Sequence, residues 1–408
     1  MKIPGSKSVL QRFMLAMAYA RSDMRFENYN PCSDVMELEE ALRTFGYEVS
    51  GLGELRSFHF SVSSNQQSKH SYQFHYNATG FRLWLSFLAA QAGLRSRVWI
   101  SDILLQRGYA PLTQALQAMG AKIELNGNLL QIQGAELTGG QHHLAGDISS
   151  QYASSLILAS PAMQQDLSLE LSPFQVSQSY IHLTIRIMEL LGAQTQREGN
   201  SLMIKATSMK IPSSYAVDSD LSTVAYYAIL AVLEGEMLQI PIHRTLSLEQ
   251  PDIRIYDYLR QMGVGVRRSK SYIKILPAKL KGTVLDLRDC PDLMPVLSIL
   301  ALFCEDTLTL KNIGRLRYKE SDRISGITKA FDLIGADYLF DGDSLTIEPF
   351  TGQISELELD SQNDHRMVMA FTLLRSRFTG VTINDTSPLY KSFPYDYADL
   401  CSLHPTDI

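Results

Sequence analysis

The stretch LEEALRTFGYEVSG (residues 38–51) places an apolar helical face before a glycine and follows it with a strand-like segment. Apolar residues three and four positions apart predict the helix, and Gly46 suits its C-terminal cap because glycine adopts the left-handed conformation without strain. The same pattern recurs at LTQALQAMGAKIEL (112–125), TIRIMELLGAQTQ (184–196), YDYLRQMGVGVRR (256–268) and ITKAFDLIGADYLF (327–340). The terminal glycines, 71 to 74 residues apart, are Gly46, Gly120, Gly192, Gly263 and Gly335. This period predicts copies of one unit with two helices and several strands.

A second and more apolar series of helices follows the same period. Their predicted starts lie 70 to 72 residues apart, near Ser8, Gly80, Ser150, Asp220, Asp292 and Asp364. Long apolar runs such as TVAYYAILAVL (223–233) follow these starts, so the helices must be buried on nearly every side. We interpret the first run, FMLAMAYA (13–20), as a buried helix rather than as part of a secretory signal.

The period and the length together predict the domain organisation. A chain of 408 residues is too long for one hydrophobic core. Six units, one of them split between the chain ends, give three units to each of two domains. We therefore predict an α/β (α+β) fold with an N-terminal domain at 6–215 and a second domain formed by 1–5 and 216–408.

Composition excludes several classes of function. The net charge is −6 and basic tracts are absent, so nucleic acid is not expected as a partner. No apolar run approaches the ~20 residues of a membrane-spanning helix. No cysteine belongs to a CxxC pair, and we expect buried thiols in a reducing cytosol at Cys32, Cys290, Cys304 and Cys401. His142 and His143 are predicted in a solvated turn without a third ligand, so neither a metal nor another cofactor is predicted.

Reactive side chains fall at or beside the starts of the buried helices, where unpaired N–H groups and the positive dipole end favour anions. In PGSKSVLQR (4–12), Lys7 precedes the helix, while Ser8 and Arg12 share one of its faces. DISSQY (147–152) adds two hydroxyls and an amide. Helix caps would explain each motif alone, but the common period predicts that the fold brings them together.

The second half of the chain carries further candidates of this kind. In RLRYKESDR (315–323), the spacing of Lys319, Glu320 and Arg323 predicts one shared helical face, which is also typical of a solvated salt-bridge surface. The remaining candidates are Asp292 before LMPVLSILALF, His365 and Arg366 in NDHRM (363–367), and Lys391 in YKSFP.

Taken together, these motifs resemble the enolpyruvyl transferase family, and within it the 5-enolpyruvylshikimate-3-phosphate synthases. PGSKSVLQR is similar to that family's PGSKSxSNR, and RYKESDR (317–323) and NDHRM are its most specific signatures here. SSQ (149–151), VSQSY (176–180), the Pro-Asp pair at 291–292 and KSFP (391–394) also match. The resemblance implies a two-domain inside-out α/β barrel with six βαβαββ repeats and an active site in the interdomain cleft.

The resemblance also implies an activity. The enzyme would be a 3-phosphoshikimate 1-carboxyvinyltransferase of the shikimate pathway, which makes chorismate for aromatic amino acids and is the target of glyphosate. It would move the enolpyruvyl group of phosphoenolpyruvate to the 5-hydroxyl of shikimate 3-phosphate and release phosphate. It would need no metal or organic cofactor. We expect a cytoplasmic monomer whose partners are these two small molecules.

The residue roles carried over from the resemblance form three overlapping sets. Phosphoenolpyruvate would be held by Lys7, Ala78, Arg107, Gln151, Arg323, Arg366 and Lys391. Shikimate 3-phosphate would be held by Lys7, Ser8, Arg12, Ser149, Ser150, Ser177, Tyr180, Asp292 and Lys319. The catalytic residues would be Asp292, which activates the 5-hydroxyl, and Glu320 with Lys7 and Lys391.

The charges of these candidates fit anionic substrates. Eight cations, at Lys7, Arg12, Arg82, Arg107, Lys319, Arg323, Arg366 and Lys391, accompany two carboxylates, at Asp292 and Glu320. The surplus of six is close to the roughly five to six negative charges that two phosphates and two carboxylates bring.

Two departures from the family pattern keep alternatives open. The family's NAGTAMR is YNATGFR here, so Ala78 occupies the position of a glycine beside the phosphoenolpyruvate phosphate. The chain begins three residues before PGSKS, which implies either a misassigned start or an open sheet edge in the second domain. A catalytically impaired anion-binding paralogue is therefore one alternative. The other is a UDP-N-acetylglucosamine enolpyruvyl transferase, whose usual Lys-Asn pair and reactive loop cysteine have no counterpart here.

Overall fold

The chain divides into two compact units. The computed structural model describes residues 3–61, 70–144, 149–171, 177–205, 207–241, 250–269 and 271–394. The N-terminal unit is Gly5–Val217, and the C-terminal unit joins Met1–Pro4 to Asp218–Ile408. Val217 N still donates to Glu27 O at 2.9 Å, whereas Asp220 N donates to Pro4 O at 2.8 Å. These bonds explain why the boundaries differ from the predicted ones, by one residue at the first and by two at the second.

The N-terminal unit contains seven α-helices among its described residues. They are α1 (Lys7–Ala20), α2 (Ser33–Phe45), α3 (Ala78–Ala89), α4 (Asp102–Gln106), α5 (Ala110–Ala118), α6 (Gln151–Ala159) and α7 (Gln178–Leu190). Helices α1, α3 and α6 belong to the apolar series, and they contact one another in the core of the unit. The buried-helix interpretation of residues 13–20 is thereby confirmed, because α1 buries its side chains from Val9 to Ala18.

Three four-stranded sheets surround these helices in the described part of the N-terminal unit. Their strands are β1 (Met24–Glu27), β2 (Tyr47–Ser50), β3 (Arg56–Phe60), β4 (Ser71–Phe74), β5 (Arg95–Ile100), β6 (Lys122–Asn126), β7 (Leu129–Gln133), β8 (Gly140–Leu144), β9 (Leu167–Leu171), β10 (Thr195–Glu198), β11 (Ser201–Ile204) and β12 (Ser214–Ala216). The strand orders are β12-β1-β3-β2, β4-β5-β7-β6 and β10-β11-β9-β8. Each sheet combines one parallel pair with two antiparallel pairs.

The C-terminal unit repeats parts of this plan. Its helices are α8 (Leu221–Glu234), α9 (Ile255–Gln261), α10 (Met294–Ala301), α11 (Arg323–Ile334) and α12 (His365–Arg377). Its strands are β13 (Leu238–Pro241), β14 (Gly265–Arg268), β15 (Tyr272–Leu276), β16 (Val284–Asp286), β17 (Leu308–Lys311), β18 (Tyr338–Phe340), β19 (Leu345–Ile347), β20 (Leu357–Leu359) and β21 (Val381–Ile383). The sheet orders are β13-β15-β14, β16-β17-β19-β18 and β20-β21. Helices α8, α10 and α12 contact one another and are buried in the core.

All five terminal glycines have positive φ angles, from 71° at Gly335 to 129° at Gly46. Gly46 and Gly335 are the C-caps of α2 and α11, as predicted, whereas Gly120, Gly192 and Gly263 each follow the C-cap by one residue. After each glycine the chain forms an antiparallel strand pair: β2 with β3, β6 with β7, β10 with β11, β14 with β15 and β18 with β19. The predicted sequence of helix, glycine, strand, turn and strand is thereby confirmed.

Three local predictions were wrong. Lys7 is the first residue of α1 instead of preceding it. Lys319 and Glu320 share no helical face with Arg323, because a 3₁₀ helix ends at Tyr318 and α11 begins only at Arg323, capped by Asp322. His142 and His143 lie in β8 rather than in a turn.

Two observations bear on the compositional predictions. Among the residues that the structure describes, no helix is long and apolar enough to cross a membrane. Cys32, Cys290 and Cys304 are buried, as predicted. Cys401 lies outside the described residues.

Candidate active site

Lys7 is held by a carboxylate that the sequence motifs did not reveal. Its Nζ lies 2.8 Å from Asp34 Oδ2, in the first turn of α2, and the two side chains are 17% and 8% exposed. The pair joins the start of α1 to the start of α2. Lys7 therefore has a fixed position rather than the free motion of a surface lysine.

Arg12 connects α1 to α7 inside the N-terminal unit. It is 1% exposed and donates hydrogen bonds to Thr184 Oγ1 and Ser8 O, both at 2.7 Å. Tyr180 O lies 3.5 Å from Nη2, and burial lowers the pKa of Arg12 to about 10. The predicted residues Ser8, Arg12 and Tyr180 are thus brought together.

Ser177 immediately precedes α7 and is buried. Its φ of 51° lies in the left-handed region, which is uncommon for a residue other than glycine. Its carbonyl accepts a hydrogen bond of 3.0 Å from Tyr180 N. Local backbone strain therefore accompanies the placement of this predicted ligand next to Tyr180.

Arg82 organises another group of predicted ligands. Its guanidinium donates to Ser149 Oγ at 3.2 Å, to Gln151 Oε1, and to the carbonyl oxygens of Arg107 and Gly108 at 2.8 and 2.6 Å. These four protein acceptors hold the Arg82 guanidinium in place beside Ser149 and Gln151.

Ala78 is the first residue of α3 and is 4% exposed. Asn77 caps this helix by accepting a 2.7 Å hydrogen bond from Gly80 N, and its amide donates to Asp34 O. On the other side, Gln151 Nε2 donates to Thr79 Oγ1 at 2.7 Å. The segment around Ala78 is therefore fixed from both sides.

Ser149 and Ser150 precede α6 as predicted, but neither hydroxyl caps the helix in the usual way. Ser150 makes no side-chain capping bond, and Ser149 Oγ accepts from Gln151 N at 3.2 Å. Arg107 lies at the C-terminal end of α4 and is half-buried. Its carbonyl oxygen binds Arg82, which places it in the same group as Ser149 and Gln151.

Arg323 is the centre of the cluster in the C-terminal unit. It is buried and binds three carboxylates: Asp292 at 2.7 Å, Glu320 at 2.9 Å and Asp364 at 2.8 Å. Burial alone would lower the pKa of Arg323, but these three carboxylates raise it well above its ordinary value. The guanidinium is permanently charged.

Asp292 and Glu320 each contact a second cation. Lys319 Nζ lies 3.3 Å from Asp292 Oδ1, and Lys391 Nζ lies 3.5 Å from Glu320 Oε1. Burial raises the pKa of Asp292, but Lys319, Arg323 and Arg366 outweigh it and hold that pKa well below the ordinary value. Burial lowers the pKa of Lys319. The sequence predicted all four residues, and the fold brings them together.

Arg366 lies in the first turn of α12, beside two residues that were not predicted. Its Nη2 donates to Ser222 Oγ at 2.8 Å, and its Nη1 lies 3.7 Å from Asp252 Oδ2. Burial lowers the pKa of Arg366, while Asp252 and then Asp292 raise it above the ordinary value.

Three carboxylates that the predicted count of charges did not include lie beside the predicted cations. Asp34 contacts Lys7 in the N-terminal unit, and Asp252 and Asp364 contact Arg366 and Arg323 in the C-terminal unit.

One carboxylate that the sequence analysis missed, Asp252, lies in a sequence pattern that could have identified it. The Pro251-Asp252 pair begins a 3₁₀ helix, as the Pro291-Asp292 pair does forty residues later. Asp364 stood within the NDHRM motif but had been interpreted only as a helix start. Asp34 had no signal, because it lies 27 residues from Lys7 in an ordinary amphipathic helix.

No group of three or more His, Cys, Asp or Glu side chains in the described ranges is arranged to hold a metal ion. The Lys7–Asp34 pair and the cluster around Arg323 combine carboxylates with lysine or arginine, which suits anion binding and proton transfer. The chemistry that this arrangement supports is therefore acid–base catalysis on negatively charged substrates.

Comparisons with known proteins agree with this chemistry. The curated 3-phosphoshikimate 1-carboxyvinyltransferase of Proteus mirabilis is 30% identical over 417 residues, covering 98% of this chain and 95% of that protein. The protein of the same name from Trichormus variabilis is 28% identical and covers 97% and 94%. These relatives do not favour the UDP-N-acetylglucosamine alternative.

Solved structures share the fold. An EPSP synthase from Acinetobacter baumannii superposes with a TM-score of 0.80 at 23% identity, covering 98% of this chain and 94% of that one. The enolpyruvyl transferase NikO from Streptomyces tendae has a TM-score of 0.79 at 18% identity, with coverage of 98% and 93%. The predicted α/β fold class is confirmed. Because the model of the EPSP synthase (3-phosphoshikimate 1-carboxyvinyltransferase) family matches residues 1–399, the chain belongs to that family.

Proposed function

We propose that this chain transfers the enolpyruvyl group of phosphoenolpyruvate to the 5-hydroxyl of shikimate 3-phosphate and releases phosphate. The reaction is a step of chorismate and aromatic amino acid biosynthesis. The observation that carries the proposal is the cluster of Asp292, Lys319, Glu320, Arg323 and Lys391. It combines two carboxylates for proton transfer with three cations for phosphate and carboxylate groups.

The first chemical step is an addition. The 5-hydroxyl oxygen attacks C2 of phosphoenolpyruvate and gives up its proton, while C3 gains a proton. Asp292 takes the hydroxyl proton, and Glu320, assisted by Lys7, supplies the proton to C3. Arg323 and Lys391 contact one oxygen each and fix the orientation of the Glu320 carboxyl group. These two cations favour the ionised form of Glu320, so anionic substrates must neutralise them before Glu320 can carry the proton that it gives to C3.

The second step is an elimination. Phosphate leaves C2 with the proton that Asp292 took from the hydroxyl, and a proton returns from C3 to Glu320, which regenerates the double bond. Lys391 and Arg323 stabilise the charge that develops on the departing phosphate. Asp292 is a weak base while three cations hold its pKa low, and binding of anionic substrates to those cations would raise that pKa.

The ligand assignments are those that the family resemblance implies. Shikimate 3-phosphate is assigned to Lys7, Ser8, Arg12, Ser149, Ser150, Ser177, Tyr180, Asp292 and Lys319. Phosphoenolpyruvate is assigned to Lys7, Ala78, Arg107, Gln151, Arg323, Arg366 and Lys391. The contacts of Arg12 with Ser8 and Tyr180 support the grouping of these three shikimate 3-phosphate ligands. We further propose that the chain is a monomer and that it is cytosolic, since the buried thiols of Cys290 and Cys304 fit a reducing compartment.

Phosphate release tests the proposal. The purified chain is incubated with phosphoenolpyruvate alone, with shikimate 3-phosphate alone, and with both. Release that requires both substrates is the expected result. No release with both substrates would contradict the proposed transfer, and equal release from phosphoenolpyruvate alone would indicate a phosphatase instead.

A further inference from the structure

We propose that Ser222 and Asp252 are positioning residues, which hold the guanidinium of Arg366 in the orientation that binds phosphoenolpyruvate. This role rests on the proposed function, because Arg366 is assigned there to phosphoenolpyruvate. Neither residue belongs to the motifs that resemble the family. They extend the site from the side chains that contact substrate to the groups that orient one of them.

The Ser222 hydroxyl links the other two side chains. It accepts a 2.8 Å hydrogen bond from Arg366 Nη2 and donates its own proton to Asp252 Oδ2. Arg366 Nη1 lies 3.7 Å from the same carboxylate oxygen. Because a guanidinium is planar, restraints on both terminal nitrogens fix its plane as well as its position.

Backbone contacts set the positions of Ser222 and Asp252 independently of Arg366. Gln250 Oε1 accepts from Leu221 N at 3.1 Å, and Gln250 Nε2 donates to Ser219 O at 2.9 Å. These bonds join the start of α8, where Ser222 lies, to the 3₁₀ helix Pro251–Arg254 that carries Asp252. The acceptor and the carboxylate are therefore in place before substrate binds, which lowers the entropic cost of orienting Arg366.

A role in stability alone does not explain the buried ion pair of Asp252 and Arg366. Asp252 is 2% exposed, and its Oδ1 has no hydrogen-bond partner among the described residues. A buried ion pair seldom stabilises a fold more than apolar side chains of the same volume would. The buried carboxylate of Asp252 instead orients an arginine that binds a ligand, as supporting residues do in other functional sites.

Other charges act on Arg366, and they define what the test must separate. Asp292 and Asp220 are attractive neighbours, and Arg323 is a repulsive one. Removal of Ser222 Oγ leaves all of these charges in place and removes only the hydrogen bonds of this hydroxyl with Arg366 and Asp252. Ser222→Ala is therefore a sharper variant than any change of Asp252.

The test measures steady-state phosphate release with each substrate varied in turn. For Ser222→Ala we expect the KM for phosphoenolpyruvate to rise about tenfold, as for the loss of one hydrogen bond to a charged group. The KM for shikimate 3-phosphate should change less than about twofold, because Arg366 is assigned to phosphoenolpyruvate and the ligands of shikimate 3-phosphate are unchanged. Ser222→Thr retains a hydroxyl and should recover most of the loss.

Two comparisons separate positioning from general damage. Ser376→Ala removes a hydroxyl that donates to Leu373 O at the C-terminal end of α12, the helix that carries Arg366. This change should leave both KM values unchanged. In an Arg366→Ala background, Ser222→Ala should cost less than about twofold in kcat/KM, because its target is absent. Asp252→Asn tests the second residue and should raise the same KM as Ser222→Ala.

The test distinguishes failure of the positioning role from failure of the proposed function. If the wild-type chain releases phosphate but Ser222→Ala keeps its KM for phosphoenolpyruvate, the positioning role is wrong and the function stands. Equal increases in both KM values, or full additivity with Arg366→Ala, would also overturn it. A wild-type chain without activity would overturn the proposed function and the positioning role with it.

Discussion

Arg323 Nε donates to Asp364 Oδ2 at 2.8 Å, and the two side chains are 1% and 0% exposed. Asp364 also caps α12, because its Oδ1 accepts from Arg366 N at 2.8 Å. One carboxylate thus fixes the first residue of α11 and the first turn of α12. Both helices carry a predicted phosphoenolpyruvate ligand at these positions.

Asp364→Ala should lower the free energy of unfolding by about 3 kcal/mol or more, because it removes a helix cap and one partner of a buried cation. Denaturant titration of the whole chain measures the loss. Asp306→Ala, a change on an exposed turn of the same unit, should alter stability by less than about 0.5 kcal/mol. A loss no larger than that of Asp306→Ala would show that Asp292 and Glu320 suffice to hold Arg323.

Asp292→Ala should lower kcat by about 10²–10⁴, the range expected for loss of a general base. Calorimetric titration should find the affinity for shikimate 3-phosphate nearly unchanged, because the other assigned ligands remain. Turnover close to that of the wild type would contradict the role given to Asp292.

Ala78→Gly tests the departure from the family glycine. If the extra methyl narrows the phosphoenolpyruvate pocket, the variant should bind glyphosate about tenfold more tightly, as relief of overpacking by one methyl suggests. The KM for phosphoenolpyruvate should fall by a smaller factor. Ala89→Gly at the opposite end of α3 controls for the weaker helix propensity of glycine. Equal glyphosate inhibition of wild type and Ala78→Gly would contradict the pocket argument.

The stability of the chain should depend on pH through Asp252. Burial raises the pKa of Asp252 to about 6, from an ordinary value near 4. The folded state then holds the Asp252 proton more tightly than the unfolded state, so this contribution to stability is complete below pH 4 and is lost as the pH rises through 6.

Denaturant titrations of wild type and Asp252→Asn at pH 4 and pH 7 measure this contribution. The wild type should lose about 2 kcal/mol relative to the variant between these two values. A constant difference would show that Asp252 has an ordinary pKa in the folded chain.

The fold was largely predictable because its signals are local and repeated. Helices α8 and α12 begin one residue after the predicted starts at Asp220 and Asp364. Two starts deviate by two residues: α3 begins earlier than predicted, at Ala78, and α10 begins later, at Met294. The delay of α10 has a local cause. Pro295 in the first turn is accompanied by the 3₁₀ turn Pro291–Leu293, so α10 begins only at Met294.

The candidate site was predictable only where a motif carried it. Asp292, Lys319, Glu320 and Arg323 come together although the predicted shared helical face does not exist. Their partners could not be found by spacing. The contact of Arg366 with Ser222 spans 144 residues, and the bond between Arg12 and Thr184 spans 172. Such pairs depend on the packing of distant helices.

Because of the bond from Asp220 N to Pro4 O, the two units can be completed only at different times during synthesis. The N-terminal unit is one continuous segment and can fold as soon as Val217 has left the ribosome. Pro4 is made before the whole N-terminal unit, yet its partner Asp220 is made 216 residues later. At ordinary translation rates this delay is about 10 to 40 seconds. Until then Pro4 lacks this bond, so the C-terminal unit cannot be completed before all of the N-terminal unit has been made.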